Sequence, residues 1–373
     1  MTRTPAFATP TPVLPQSQAT PSINSRARVS RRFRPTTRAT LDLTSHNLAK
    51  NVAKPLRASS PTSKSRYISR LRRALETRCA QAEDAFWSAM QEEARLAAES
   101  EPLLASFLFA TVLNHASLHQ ALAFHLANKL ASPAMPSTIL MRVFMDAMSD
   151  CDQFCDNVRK DLLAVMERDP ACTRFIDALL YFKGFHALQA HRVAHTLWKQ
   201  GRAPLAYHLQ SQVSKELQVD IHPAARIGTG VFVDHATGIV IGETAVIGNN
   251  CSFLHHVTLG GTGKMHGDRH PKLGDGVLVG AGATLLGNLT VGDGAQIGAC
   301  SLVLEDVPAH STVVGVPAKV VSRQGVAVPA LDMKHERCLP GCTDESHGHA
   351  IEGSISKQVD EAIRDRVIAQ DVL

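Results

Sequence analysis

The stretch IHPAARIGTGVFVDHATGIVIGETAVIGNNCSFLHHVTLG (Ile221–Gly260) and its continuation KLGDGVLVGAGATLLGNLTVGDGAQIGACSLV (Lys272–Val303) place an aliphatic residue or phenylalanine at every sixth position. The row runs Ile221, Ile227, Val233, then Ile241, Ile247, Phe253, Leu259, and resumes at Leu273, Val279, Leu285, Val291, Ile297 and Val303. A glycine often follows directly, as at Gly228, Gly242, Gly248, Gly274, Gly280, Gly292 and Gly298. Four positions after the aliphatic comes a small or β-branched residue: Ala225, Val231, Thr237, Ala245, Cys251, Val257, Ala283, Ala295 or Ser301. Self-similarity at a fixed hexapeptide period is the signature of a parallel β-helix. Each hexad supplies one short flat face and a corner, so three hexads close one triangular coil. The aliphatic points into the prism, the small residue fits the crowded interior, and the glycine is expected to relieve the corner. A narrow interior also accounts for composition: 18 of the 24 glycines but only two aromatics, Phe232 and Phe253, fall between 221 and 320.

The period breaks twice. A two-residue slip between Val233 and Ile241 carries Asp234-His235-Ala236-Thr237-Gly238, and a longer step between Leu259 and Leu273 carries GGTGKMHGDRHPK (260–272). Insertions in repeat proteins gather on one face, often the binding face. Gly263–Lys264 lacks the upstream glycine and the following Ser or Thr of a phosphate-binding loop. His235 and His255 each lie two positions past an interior residue, which predicts that they stack on neighbouring coils; His256 and His222 are close in register. Such histidines suit a zinc hydratase or a general base whose tautomer a carboxylate such as Asp220 fixes. No third histidine occupies the equivalent place in the next coil, so no metal is assigned.

Upstream, residues 66–205 read as helical. Leu71, Leu75, Cys79, Ala82, Phe86 and Met90 recur every three to four residues. A second stretch opens at Glu101–Pro102 and is broken by Pro133 and Pro136; two more cover 138–168 and 172–199, the latter with Asp169–Pro170 as its expected N-cap. Gly201 and Pro204 are expected to close the domain, leaving 206–220 as a connector to a β-helix over 221–320 and a tail over 321–373. The fold class is therefore α+β, an α-helical domain followed by a parallel β-helix.

Residues 1–65 hold eleven Lys and Arg against one acid, Asp42, with nineteen Ser and Thr and eight Pro. Acid-poor, Arg- and Ser-rich composition without an apolar h-region is that of an organelle transit peptide rather than a secretory signal; a disordered tail has the same composition. Proline and threonine near the start favour a plastid over a mitochondrion. The remaining 308 residues carry a net charge of −5, so a basic nucleic-acid-binding surface is not expected, and no apolar stretch is long enough for a membrane helix. Eight cysteines scattered over 373 residues do not make a disulfide framework.

The motifs FKGFHALQAHR (182–192), VDIHPAARIG (219–228), DHATGIVIGETAVIGNN (234–250), HHVTLGGTGK (255–264), GDRHPK (267–272) and GVPAK (315–319) together resemble serine acetyltransferases of the plant type. The likeness is dense from about 164 to 322 and looser from 66 to 163. It implies a left-handed β-helix and acetyl transfer from acetyl-CoA, a co-substrate rather than a bound cofactor, to the hydroxyl of L-serine. By motif, His235 takes the hydroxyl proton and Asp220 orients it; Asp169 and Asp234 bind the serine ammonium, Arg269 its carboxylate, and His270 completes the pocket. Gly261, Thr262, Ala281 and Ala299 match positions that line the CoA arm. The family forms trimers with sites between neighbours and pairs them into hexamers. Its tail docks into O-acetylserine sulfhydrylase through a terminal isoleucine, whereas this chain ends Ala369-Gln-Asp-Val-Leu373, which puts that complex in question. Hexads alone leave three other readings: a sugar acetyltransferase on the same fold, the hydratase, or a silent scaffold.

Overall fold

The computed structural model describes residues 65, 68–69, 80–151, 153–263, 266–323 and 328–333. The readings for the leader, for Leu71, Leu75 and Cys79, and for the tail beyond Met333 lie outside the described residues.

The helical half comprises α1 (Ala80–Ser100), consecutive short 3-10, α and π helical turns over 102–113, α2 (Leu118–Leu130), α3 (Ser137–Ser149), α4 (Phe154–Arg168), α5 (Phe175–Tyr181), α6 (Lys183–Lys199) and α7 (Ala203–Leu217). The two long stretches expected over 138–168 and 172–199 are each divided. The backbone turns at Asp150 and again at Phe182, whose extended conformation interrupts the helix before Lys183. The expected connector is also corrected: most of 206–220 is α7. Pro204 sits in its first turn, where the missing N–H costs nothing, and Ala206, Leu209, Val213 and Leu217 bury one stripe. Asp169 caps no following helix. It ends α4, and its Oδ1 accepts from the Ala171 N–H at 2.8 Å.

From Val219 the chain coils. Thirteen short parallel strands (β1–β13, Val219–Ile221 to Leu302–Val303) stack in three sheets, β1-β4-β7-β10-β13, β2-β5-β8-β11 and β3-β6-β9-β12. Every third strand is thus a neighbour, as a triangular prism requires. The stack is closed by β14 (Ser311–Gly315), which adds in parallel to β12 and folds back antiparallel onto β15 (Ala318–Arg323). Interior positions obey the hexad: Leu259, Val279, Leu285 and Val291 are fully buried, and so are Ala225, Ala283 and Ala295 between them. At the first break Ala236, not Thr237, takes the interior seat; Thr237 instead receives the Lys183 ammonium from α6 at 2.5 Å.

The glycines after the aliphatics act differently from expectation. A Cβ on Gly228 would lie 2.6 Å from the Gly248 carbonyl oxygen, and one on Gly280 2.6 Å from the Ala299 nitrogen. They are needed because the next coil passes close by. The left-handed corner conformations belong to another set, including His235, Ala236, His256 and Cys300.

One continuous core joins the two halves. Helix α6 lies against β3 so closely that a Cβ on Gly184 would meet the Val233 carbonyl oxygen at 2.1 Å. Asp161 of α4, fully buried, accepts from Arg192 Nε and Nη2, from Gln189 Nε2 and from the Val231 N–H, while Arg192 Nη2 also donates to the Gly228 carbonyl. After the coil, Val328–Met333 returns with a short helix, α8 (Pro329–Asp332), and packs against α4 and β9.

Candidate active site

The sheet β1-β4-β7-β10-β13 is flanked by two corners, and the candidate residues divide between them. At the corner entering this sheet, between β3 and β4, lie Asp234 and His235. His235 has φ of 55° and a mostly exposed imidazole, whose Nε2 is 3.7 Å from Asp234 Oδ1. The corner of the next coil brings His255, its ring centroid 6.0 Å from that of His235 in an edge-on arrangement. The predicted stacking is therefore observed. Above them the corner continues through the 280–283 and 298–301 turns, with the Gly282 N–H donating to the His255 carbonyl and the Cys300 N–H to that of Ala281. Ala281 and Ala299 thus stand in the column above His235.

Asp169 reaches the same corner from the end of α4. Burial pushes the Asp234 carboxyl upward; the neighbouring His235 opposes this, and the charge of Asp169 adds to it. Two carboxylates that repel in a half-buried setting form a seat for a cation, because a cation between them relieves the repulsion. The seat is held from behind. Arg168 Nη1 donates to the Cys251 carbonyl and to Ser252 Oγ, and Ser252 Oγ donates to the Ala330 carbonyl of α8.

The opposite corner, leaving the sheet, carries Glu243 and Thr244 after β4 and Arg269 and His270 before β8. Arg269 Nη2 bonds Glu243 Oε2 at 2.7 Å, which holds the glutamate below its usual range. Thr244 organises the loop end: its Oγ1 accepts from the Arg269 and His270 N–H groups, and its own N–H donates to His270 Nδ1 at 3.2 Å. With Nδ1 accepting, the neutral ring carries its proton on Nε2. Burial, then Arg269 and Lys272, push the His270 imidazole down, so the neutral form prevails. The ring sits where a Cβ on Gly242 would be, 2.0 Å away. Gly261 packs against Arg269, and Thr262 lies beside Gly287 on this side.

Asp220, on the middle of β1, accepts from Gln210 Nε2 of α7 at 2.6 Å; no hydrogen bond joins it to His235. His222 belongs to the second corner, where Trp198 and Tyr207 surround it, so the four histidines do not converge. Among the described residues no group of three or more His, Cys, Asp or Glu is arranged to hold a metal ion, and no helix is long and apolar enough to cross a membrane. Sequence reasoning missed Gln210, because α7 was read as connector, and Glu243 and Thr244, which sit inside an otherwise regular hexad. The signal for Gln210 was the apolar stripe of α7.

Residues 86–190 match the family model described as serine acetyltransferase, N-terminal, and residues 270–305 that of the bacterial transferase hexapeptide with six repeats. Serine acetyltransferase 2 of Arabidopsis thaliana is 52% identical over 270 residues, spanning 72% of this chain and 82% of that protein. The chain belongs to the serine acetyltransferase family. The enzyme of that name from Escherichia coli K12 is 54% identical over 247 residues, 66% of this chain and 90% of its own. The structure of soybean serine acetyltransferase complexed with serine superposes with a TM-score of 0.63 at 58% identity, covering 64% of this chain and 98% of that one. As a member of this family the protein is an acyltransferase, a serine O-acetyltransferase of cysteine biosynthesis that moves acetyl from acetyl-CoA to L-serine to give O-acetyl-L-serine and CoA.

Proposed function

We propose that the catalytic site forms between two copies of the chain, one giving the His235 corner and the other the Arg269 corner. The observation that carries this is the width of the sheet separating the corners. Within one chain β4 (Ile239–Ile241) lies between them, roughly 10 Å of strand, too wide for one serine to touch both. Serine's ammonium sits between Asp169 and Asp234, and its carboxylate takes the donors of Arg269 that Glu243 and the Gly267 carbonyl leave open. His235 then removes the hydroxyl proton as the oxygen attacks the thioester carbonyl, CoA leaves as a thiol, and Asp220 or Asp234 balances the imidazolium. His270, neutral with a proton on Nε2, closes the pocket as a donor. Gly261 and Thr262 from one corner, Ala281 and Ala299 from the other, leave a shallow track for the pantetheine arm of acetyl-CoA.

Trimers are supported by apolar Val240, 41% exposed at the centre of the sheet between the corners; pairing of trimers into hexamers is supported by Leu103, 91% exposed, with Phe109 and Ile139 on the helical half. The test is complementation. His235→Ala and Arg269→Ala are each expected to be nearly inactive in serine-dependent CoA release, and co-expression to restore about a quarter or more of wild-type activity through mixed interfaces. Mixed oligomers that stay as inactive as either parent would place the site within one chain.

The acid-poor leader supports organelle import, to the plastid before the mitochondrion. A reporter fused to residues 1–65 is expected to enter an organelle; diffuse cytosolic fluorescence would reject this. Docking of O-acetylserine sulfhydrylase on the tail has for support only an apolar terminal residue, Leu373.

A further inference from the structure

Helices α2 and α4 meet at their N-terminal turns, and the contact is between two chemically complementary side chains, His119 and Cys155. The thiol Sγ of Cys155 touches Nε2 of His119, and both are partly buried. Each is the second residue of its helix, in helices of 13 and 15 residues. The positive ends of two macrodipoles therefore converge on the sulfur, and such an end lowers the pKa of a cysteine thiol, as an adjacent cationic histidine also does. Gln153, at the cap of α4, makes no side-chain capping hydrogen bond, and the Phe154 N–H donates to the Cys151 carbonyl.

Asp156, the acid of the first turn of α4, is engaged by Arg159 at 2.8 Å. On the α2 side, His115 is directed elsewhere, its Nε2 against the Ala110 carbonyl and its ring against Phe124.

None of the other described cysteines has such a setting. Burial pushes the Cys251 thiol up to about 12. Cys172 is buried and donates to the Arg174 carbonyl. Cys300 is exposed on a β-helix corner rather than at a helix end, and Cys151 precedes α4 next to Asp150 in sequence.

We infer that Cys155, with His119 as its base, is a reactive thiol that exchanges with low-molecular-mass disulfides such as oxidised glutathione. The Cys155 proton passes to His119 Nε2, and the thiolate attacks one sulfur of the disulfide. A new Cys155–sulfur bond forms as the disulfide bond breaks. The released thiolate takes the proton back from His119, so the exchange consumes no other oxidant.

The experiment is peptide mapping of the full-length protein after brief exposure to substoichiometric oxidised glutathione, with iodoacetamide alkylation of each cysteine followed against pH. Cys155 is expected to be the first cysteine to form the mixed disulfide. Its alkylation midpoint is expected at least one pH unit below the value of about 8.5 for a free cysteine. Because intrinsic nucleophilicity falls as pKa falls, the midpoint decides more sharply than the rate at one pH. His119→Gln is expected to raise that midpoint and slow the exchange. Mixed-disulfide formation first at Cys300, Cys151 or a cysteine outside the described residues would overturn the inference. So would a Cys155 midpoint at the free-thiol value, which the wild-type protein reports even if the variant does not fold.

Discussion

Replacing His235 with alanine is expected to lower kcat for serine-dependent CoA release by 10²–10⁴-fold, the range general-base catalysis supplies, with the melting temperature nearly unchanged. The residue is dispensable to the fold: its side chain is 74% exposed, and the corner's interior seat is filled by Ala236. Alanine also adopts the left-handed corner conformation, as Ala236 itself does. The carboxylates are separable in the same assay. Asp234 and Asp169 share a half-buried acidic seat, so Asp234→Asn is expected mainly to raise KM for serine. Asp220, tied to Gln210, has no part in that seat, and Asp220→Asn is expected to lower kcat with little change in KM. The reverse pattern, kcat lost in Asp234→Asn and Asp220→Asn silent, would make Asp234 the group that balances the imidazolium. Full activity in His235→Ala would remove the base altogether.

The legibility of these parts in the sequence followed the physics of each. The β-helix was readable because its constraint is local and repeated: a prism this narrow takes one larger apolar residue, nearly always aliphatic, and one smaller residue per face, so Leu259, Val279 and Ala283 declare themselves by spacing. The breaks at Asp234–Gly238 and Gly260–Lys272 were readable for the same reason, as departures from a period. What stayed hidden depends on contacts between distant segments. Glycines such as Gly228 and Gly280 look like turn formers, yet what they avoid is the backbone of the following coil, which no local pattern records. Asp169 before a proline looked like a helix cap because that reading needs only neighbours. Its place beside Asp234 requires α4 to dock on the β-helix. Thr244, which fixes both Arg269 and His270, lies about 25 residues upstream of them on the preceding coil, so nothing in its own hexad marks it.

That docking of α4 is where the largest loss of stability is expected. Asp161→Ala should cost about 3–5 kcal/mol, the usual penalty for removing one partner of a buried ion pair, a large fraction of the 5–15 kcal/mol typical of a folded domain. The carboxylate is fully buried and takes four donors: two from Arg192, one from Gln189 and the Val231 N–H. Without it the Arg192 guanidinium stays buried with only backbone carbonyls of Ile227 and Gly228 as partners, and the Val231 N–H loses its acceptor. By the usual scaling for domains of 150–250 residues the melting temperature should fall by roughly 6–20 °C. Asp161→Leu combined with Arg192→Met is expected to recover much of the loss, since no charge is then left buried, and apolar replacement of a buried pair is often neutral. A double variant as unstable as Asp161→Ala would mean that the bonds to Val231 and Gly228, rather than charge pairing, hold the two halves together. Because α4 ends at Asp169, the same substitution should also raise KM for serine at temperatures where the protein remains folded. Loosening α4 against the β-helix frees one wall of the acidic seat while His235 stays in place, so kcat at saturating serine should hold.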